Sequence, residues 1–298
     1  MVVVFCVVNN FVYFTMISAV LTFLFFVSDS SATVVVESSQ KLFESAICCS
    51  SAPDGMLYVT DQKTNTVHQV SLSNAIVKTV GGKGWGNTEF DLPLDVSSSF
   101  LLDLFVVDGN NFRVQRFDKQ FNFLRTYDES SIPQLNGRFK PRACTFSSFG
   151  DLFVIEQDGN RIVKISQRGL FEREFGTYKD GKGALADPQD IAVTSNDDIV
   201  VLDNEAVVVF DRFGNYIRRI PLPEKIEWKT ISVSDDLLCV VSPQQIILIN
   251  MLSYEQRNLI PQSFIGATID ESFSDALMQS TNLVVLTPTT IYRCIFPQ

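Results

Sequence analysis

The chain has 298 residues, 46% of them apolar and 19% charged, with a formal net charge of −10. That composition supplies apolar surface for a sizeable core and excludes a disordered chain. The acidic balance argues against nucleic acid as a partner, because binding it depends on Lys and Arg displacing counterions from phosphate.

Residues 1–27 carry no charged side chain and are rich in Val, Phe and Leu. Small residues follow up to Ala32, and Ser30 and Ala32 have the spacing that a signal peptidase reads. Residues 1–32 are therefore expected to be an export signal cleaved after Ala32, which places the mature chain in the periplasm, in the cell envelope or outside the cell. No Lys or Arg precedes the apolar run, and Met16 offers an alternative start that keeps 17–27 as the apolar core. The other reading is an uncleaved anchor, since ~20 apolar residues span a bilayer. Membrane contact is then expected only through this segment. Apart from Cys6, the cysteines are Cys48, Cys49, Cys144, Cys239 and Cys294. Their odd number leaves at least one without an intramolecular partner, and no CxxC pair points to a metal ribbon or a redox motif.

Beyond residue 40 a unit recurs. Each copy is a short β-rich run, a polar turn and a second β-rich run, as in "GMLYVTDQKTNTVHQV", "LDLFVVDGNNFRVQRF" and "GDLFVIEQDGNRIVKI". The residues closing the first run are Asp61, Asp108, Glu156, Asp203, Ser242 and Thr287, at steps of 47, 48, 47, 39 and 45. A period in this range marks a repeat architecture. A further apolar stretch precedes each pair ("PLDVSSS", "PQDIAVTS") and another follows it ("FNFLRTY", "LFEREFG"). Four short antiparallel strands per unit make one blade of a β-propeller. Residues 33–298 are thus expected to form an all-β, six-bladed ring. The last unit supplies 265–270, 283–286 and 290–295 and lacks a fourth strand. "ATVVVESS", starting at Ala32, is expected to complete that blade and close the ring, removing an open edge.

"GGKGWGNTEFDLPLDV" (81–96) resembles a phosphate-binding loop at first sight. Its lysine is followed by Gly84 rather than Ser or Thr, no helix follows, and the pattern recurs at 176–193. A phosphate loop occurs once, between a strand and a helix. These segments are instead read as connectors that swing the chain from a blade's outer edge back to the axis, where glycine permits the turn.

The connector, Phe90, Pro93, an apolar strand and then Asp108, Asn111, Arg113 and Val114 resemble the NHL-repeat family of propellers. Blade three repeats the pattern with Phe139, Pro141, Glu156, Asn160, Arg161 and Ile162, and blade four keeps Pro188 and Asp203. The resemblance implies a six-bladed ring that often serves as a binding platform, and no single reaction.

Alternating strand direction puts the connectors and the turns after Asp61, Asp108, Glu156 and Asp203 on one face. Asp and Asn in such turns bond their own backbone. Asp95, Asp190 and Asp270 are placed where the innermost strands enter, nearest the axis. They are a solvated rim or a central cation site, since Ca²⁺ takes several oxygen ligands. The single histidine, His68, falls in a third strand away from the axis, which leaves no histidine-based metal or triad site. The basic residues Arg113, Arg116, Lys119 and Arg125 of blade two, and Arg161, Lys164, Arg168 and Arg173 of blade three, read as solvated strands. Phe112, Phe117, Phe121, Phe123 and Tyr127 read as core. The functional expectation is a non-catalytic scaffold that takes a protein, peptide or glycan on its connector face, notably at 176–187. The alternative is a metal-dependent hydrolase of the lactonase type, using Asp95, Asp190 and Asp270 around one Ca²⁺.

Overall fold

The computed structural model describes residues 32–98, 103–135 and 139–297. The expected export segment, apart from Ala32, lies outside these residues, as do 136–138 of the third connector. The described chain forms six sheets. Five of them contain four antiparallel strands in chain order, running from the axis outwards. In blade two these are Pro93–Ser98, Asp103–Asp108, Arg113–Asp118 and Phe123–Tyr127. The second strand of each blade is buried almost end to end, as in Leu57–Asp61 and Ile199–Asp203. These strands read as continuous Val, Ile and Leu runs because both of their faces are covered. Six apolar clusters lie one at each blade–blade interface. Phe117, Phe121 and Tyr127 are buried in them as expected, whereas Phe112 is half exposed on a turn. Among the described residues helical structure is limited to four 3₁₀ turns, and no helix is long and apolar enough to cross a membrane.

The ring closes as expected. Val34–Lys41 pairs antiparallel with Thr290–Ile295 and completes blade six. The inner part of that blade differs from the sequence reading. Its innermost strand is Asp275–Gln279, not 265–270. Only Phe264–Ile265 of the expected stretch is extended, and it pairs in parallel with Val34–Val35 on the outer edge, making a five-stranded blade. The 3₁₀ turn Pro261–Ser263 and Gly266, at φ +96°, break the strand pattern. Ile269 and Phe273 are buried in the cluster between blades five and six. The apolar alternation there belongs to a connector that plugs an interface.

The residues closing the second strands pin the connectors. Asp61 accepts from the backbone N–H groups of Glu44 and Ser45, Asp203 from those of Ala186 and Asp187, and Asp108 from that of Asp91. Each of these carboxylates is buried. Asp61 also bonds its own turn, at Lys63 N and Thr64 N, as expected, whereas Asp108 takes the side chains of Asn111 and Arg113 and Asp203 takes Arg219 of the outer strand; all three clamp the incoming chain. In blade six the polarity is exchanged: Glu271 of the connector accepts from Thr287 Oγ1 and from Thr289.

The outer strands carry a second repeat. Lys78, Arg125, Arg173 and Arg218 occupy equivalent positions, opposite Gln69, Arg116, Lys164 and Val209. Each donates to the outer turn of the next blade: to Gln120 O, Arg168 O, Phe213 O and Tyr254 Oη. These basic side chains therefore link blades instead of merely facing water. Removing one such partly exposed bond in Arg125→Ala is expected to cost about 1 kcal/mol, read as a lower denaturant midpoint with an unchanged slope.

Candidate functional site

Strand register identifies one equivalent position per blade at the axis: Cys48, Asp95, Ala143, Asp190, Thr230 and Asp275. Carboxylates occupy every second blade. Each carboxylate reaches across to the innermost strand of the following blade. Asp95 Oδ2 accepts from Cys144 N at 2.7 Å, Asp190 Oδ2 from Ile231 N at 2.7 Å and Asp275 Oδ2 from Cys49 N at 2.8 Å. The preceding blade contributes the Cys48 thiol to Asp95 Oδ1 at 3.0 Å and the Thr230 hydroxyl to Asp275 Oδ1 at 2.7 Å. The ring axis is thus bonded with approximate threefold symmetry.

Asp95 and Asp190 sit at the axis as expected. Asp270 does not; it is exposed on the connector, and Asp275 takes the position assigned to it. Asp95 and Asp190 each precede the residue closing their second strand by 13 positions, and the same offset before Thr287 falls on Ser274, one residue from Asp275. That interval was the available signal. Burial pushes all three carboxyls above the usual carboxylate range, Asp275 to about 6 and Asp190 well above it. Repulsion from Asp95 and Asp275 adds to the rise at Asp190, and the donated N–H groups only partly offset it. Burial and the neighbouring Asp95 also raise the Cys48 thiol, so it is no ready nucleophile. The carboxylate oxygens are engaged by N–H, S–H and O–H donors. Among the described residues no three His, Cys, Asp or Glu side chains converge to hold one metal ion. With each of these six oxygens already accepting a hydrogen bond, the donor set at the axis does not fit a cation.

Two cavities meet at this carboxylate waist. One, of about 410 Å³, opens on the connector face and includes Leu94, Arg142, Gln189, Lys229 and Phe273 in its wall. The other, of about 370 Å³, opens on the opposite face and is lined by hydroxyls such as Ser50, Ser98, Thr145 and Ser232. Asp95 and Asp190 line both. His68 lies outside both cavities, between the hydroxyls of Thr66 and Thr79 at 3.0 and 2.8 Å.

The glycine-rich connector at 81–90 wraps around a cation. Arg113 donates to Trp85 O, Gly86 O and Glu89 O at 2.9–3.0 Å and to Asp108 at 2.8 Å. Asn111 donates to Gly84 O, and Gln115 to Glu89 O. A phosphate loop aims N–H groups at an anion; this loop aims carbonyls at a guanidinium. Gly81, at φ +124°, makes the turn possible, since a Cβ there would lie 2.5 Å from Asn65 O. Trp85, Phe112 and Tyr178 stand out from this pinned face, 70%, 49% and 84% exposed.

No family model matches the sequence, and no curated protein matches it either. Solved structures do. Virginiamycin B lyase from Staphylococcus aureus is similar with a TM-score of 0.63 over 87% of this chain and 99% of that one, at 14% identity. A chain of the nidogen/laminin complex is similar with a TM-score of 0.60 over 73% of this chain and 80% of that one, at 14% identity. Hydrazine synthase from Kuenenia stuttgartiensis gives a TM-score of 0.58 over 83% and 75%, at 13% identity. Identities this low show a shared fold alone: this chain is a six-bladed β-propeller.

Proposed function

We propose that the chain is an exported, non-catalytic binding module of NHL type that captures a protein, peptide or glycan on its connector face. The observation carrying this reading is the exposure of Trp85, Phe112 and Tyr178 on connectors and turns held by buried polar clamps. Large aromatics dominate binding energy where they meet a partner, and a pre-ordered surface loses little entropy on binding. The nidogen/laminin complex, one chain of which is similar in fold, supports a protein partner. The Staphylococcus aureus lyase is catalytically inactive after a single histidine-to-alanine change. The one histidine here is bonded to two threonines away from the axis, which favours a non-catalytic role.

Deleting 176–187 is a poor test of this surface. Leu185 is buried and the N–H groups of Ala186 and Asp187 bond Asp203, so the blade would be damaged. The double substitution Trp85→Ala/Tyr178→Ala touches only exposed side chains. Immobilised parent and variant rings are offered the same envelope extract, and recovered partners are quantified by mass spectrometry. Partners of the parent are expected to fall by about tenfold or more, at an unchanged melting midpoint. Equal recovery would remove the connector face from consideration.

A further inference from the structure

The face opposite the connectors carries the turns between the first and second, and the third and fourth, strands of each blade. Six of the fifteen large exposed hydrophobics among the described residues lie in those turns: Leu72, Phe149, Leu170, Phe213, Leu252 and Tyr254. Arg212 stands between two of them, its guanidinium 5.0 Å from the Phe149 ring and 4.7 Å from the Phe213 ring. Its neighbour in sequence, Asp211, is bonded back to Phe213 N and Asn215 N, while Asp54, Asp235 and Asp236 stand exposed on other turns of this face. A rim of apolar tips with a guanidinium among them suits a headgroup layer, where rings reach the acyl boundary and the cation stays at phosphate level.

The path of the chain selects the same face. The strand Val34–Lys41 starts beside Ile295 and ends beside Thr290. Thr290–Ile295 itself runs from the connector face to the turn face, so the chain enters the ring on the turn face. Between the charge-free segment 1–27 and Val34 lie six residues, 28–33, with Asp29 their single charge. Fully extended, they reach about 20 Å. The eight-residue strand that follows is longer, about 26 Å. If 1–27 sits in a bilayer, this linker cannot bring the connector face down to it while that strand stays paired.

We propose that the turn face of the ring lies against the lipid bilayer that retains residues 1–27 as an anchor, with the connector face directed away from it. This goes beyond the binding-module reading and does not depend on it.

The test uses the full chain in phosphatidylcholine/phosphatidylglycerol vesicles and, separately, in detergent, followed by backbone hydrogen exchange. Amides of the turns at 148–150, 167–170 and 212–214 are expected to exchange more slowly in vesicles, with the connectors at 83–88 and 177–182 unchanged. Phe149→Ser/Phe213→Ser is expected to abolish that slowing while the protein stays with the vesicles through its anchor. Slowing on the connectors, or on neither face, would overturn the proposal. So would a purified mature chain beginning at Thr33. Either failure leaves partner capture by Trp85 and Tyr178 to be judged by its own experiment.

Discussion

Arg113→Ala is expected to lower the unfolding midpoint by roughly 10 °C. The Arg113 side chain is 9% exposed and its partner Asp108 is fully buried. Its removal takes the counter-charge from a buried carboxylate and leaves Trp85 O without a donor, while Gly86 O and Glu89 O keep only Glu89 N and Gln115 Nε2. Breaking a buried pair from one side costs about 3–5 kcal/mol, and each kcal/mol moves the midpoint by about 2–4 °C in a domain of this size. Arg113→Lys should rescue little, because one ammonium cannot fork to four acceptors. The arginines paired with the other closing carboxylates, one at the equivalent position and one on the outer strand, rank the effect. Arg161 with Glu156 is more open, at 17% side-chain exposure, and Arg219 with Asp203 more open still, at 37%. The expected order of loss is Arg113, then Arg161, then Arg219. Thermal melts of the three alanine variants at one pH decide it: equal midpoints, or an unaffected Arg113→Ala, would show that the clamps do not hold the connectors. Because Trp85 O is one of the acceptors, the same substitution should also weaken partner capture.

The repeat was legible because its spacing is set by a turn that must bury a clamp. Asp61, Asp108, Glu156 and Asp203 stand at steps of 47 or 48, and all four are buried acceptors. Ring closure was legible for a related reason: a missing strand at one end and a spare one at the other leave a single way to satisfy the edge. Blade six was misread on its inner side because the connector there carries its own apolar residues. Ile269 and Phe273 pack into an interface, and packing leaves the same mark on the sequence whether the segment is a strand or a plug. The outer latch was visible as bases at 78, 125, 173 and 218, spaced 47, 48 and 45 apart. Its meaning was not, because the acceptors are mostly backbone carbonyls of the next blade, and those have no residue-type signature. The polarity of the glycine-rich loop was hidden in the same way, since carbonyls aimed at Arg113 are a property of backbone conformation. Asp95 and Asp190 were placed correctly from strand polarity, but their partners are N–H groups on Cys144 and Ile231, which composition cannot reveal.

The axial carboxylates should make the ring more stable at pH 5 than at pH 7.5. Asp275 titrates at about 6 in the folded ring, against roughly 4 for an unfolded aspartate. Over that interval the folded state holds a proton that the unfolded chain has released, so stability falls as pH rises. About two pH units correspond to some 3 kcal/mol in all, of which about half is lost between pH 5 and 7.5. Asp95 and Asp190 act in the same direction. The carboxyls held below their usual range, Asp128, Asp211 and Glu271 among them, act oppositely but at lower pH, whereas His68, which burial keeps neutral in the fold, acts oppositely within the interval and equally in both proteins, which is why the comparison starts at pH 5 and rests on the difference between parent and variant. Asp275→Asn is the informative variant. Its amide oxygen can still accept from Cys49 N, and its NH₂ can donate to the Thr230 hydroxyl, leaving Ala276 N as the one lost partner. The corresponding change at Asp190 would face an NH₂ toward one of two backbone N–H groups and confuse the result. The readout is therefore the slope of the midpoint against pH, not its absolute value. The parent should lose several degrees from pH 5 to 7.5 and Asp275→Asn distinctly less. Parallel curves for the two proteins would mean that Asp275 releases its proton in the folded ring as readily as in water, and that the waist of the ring is wetter than its geometry indicates.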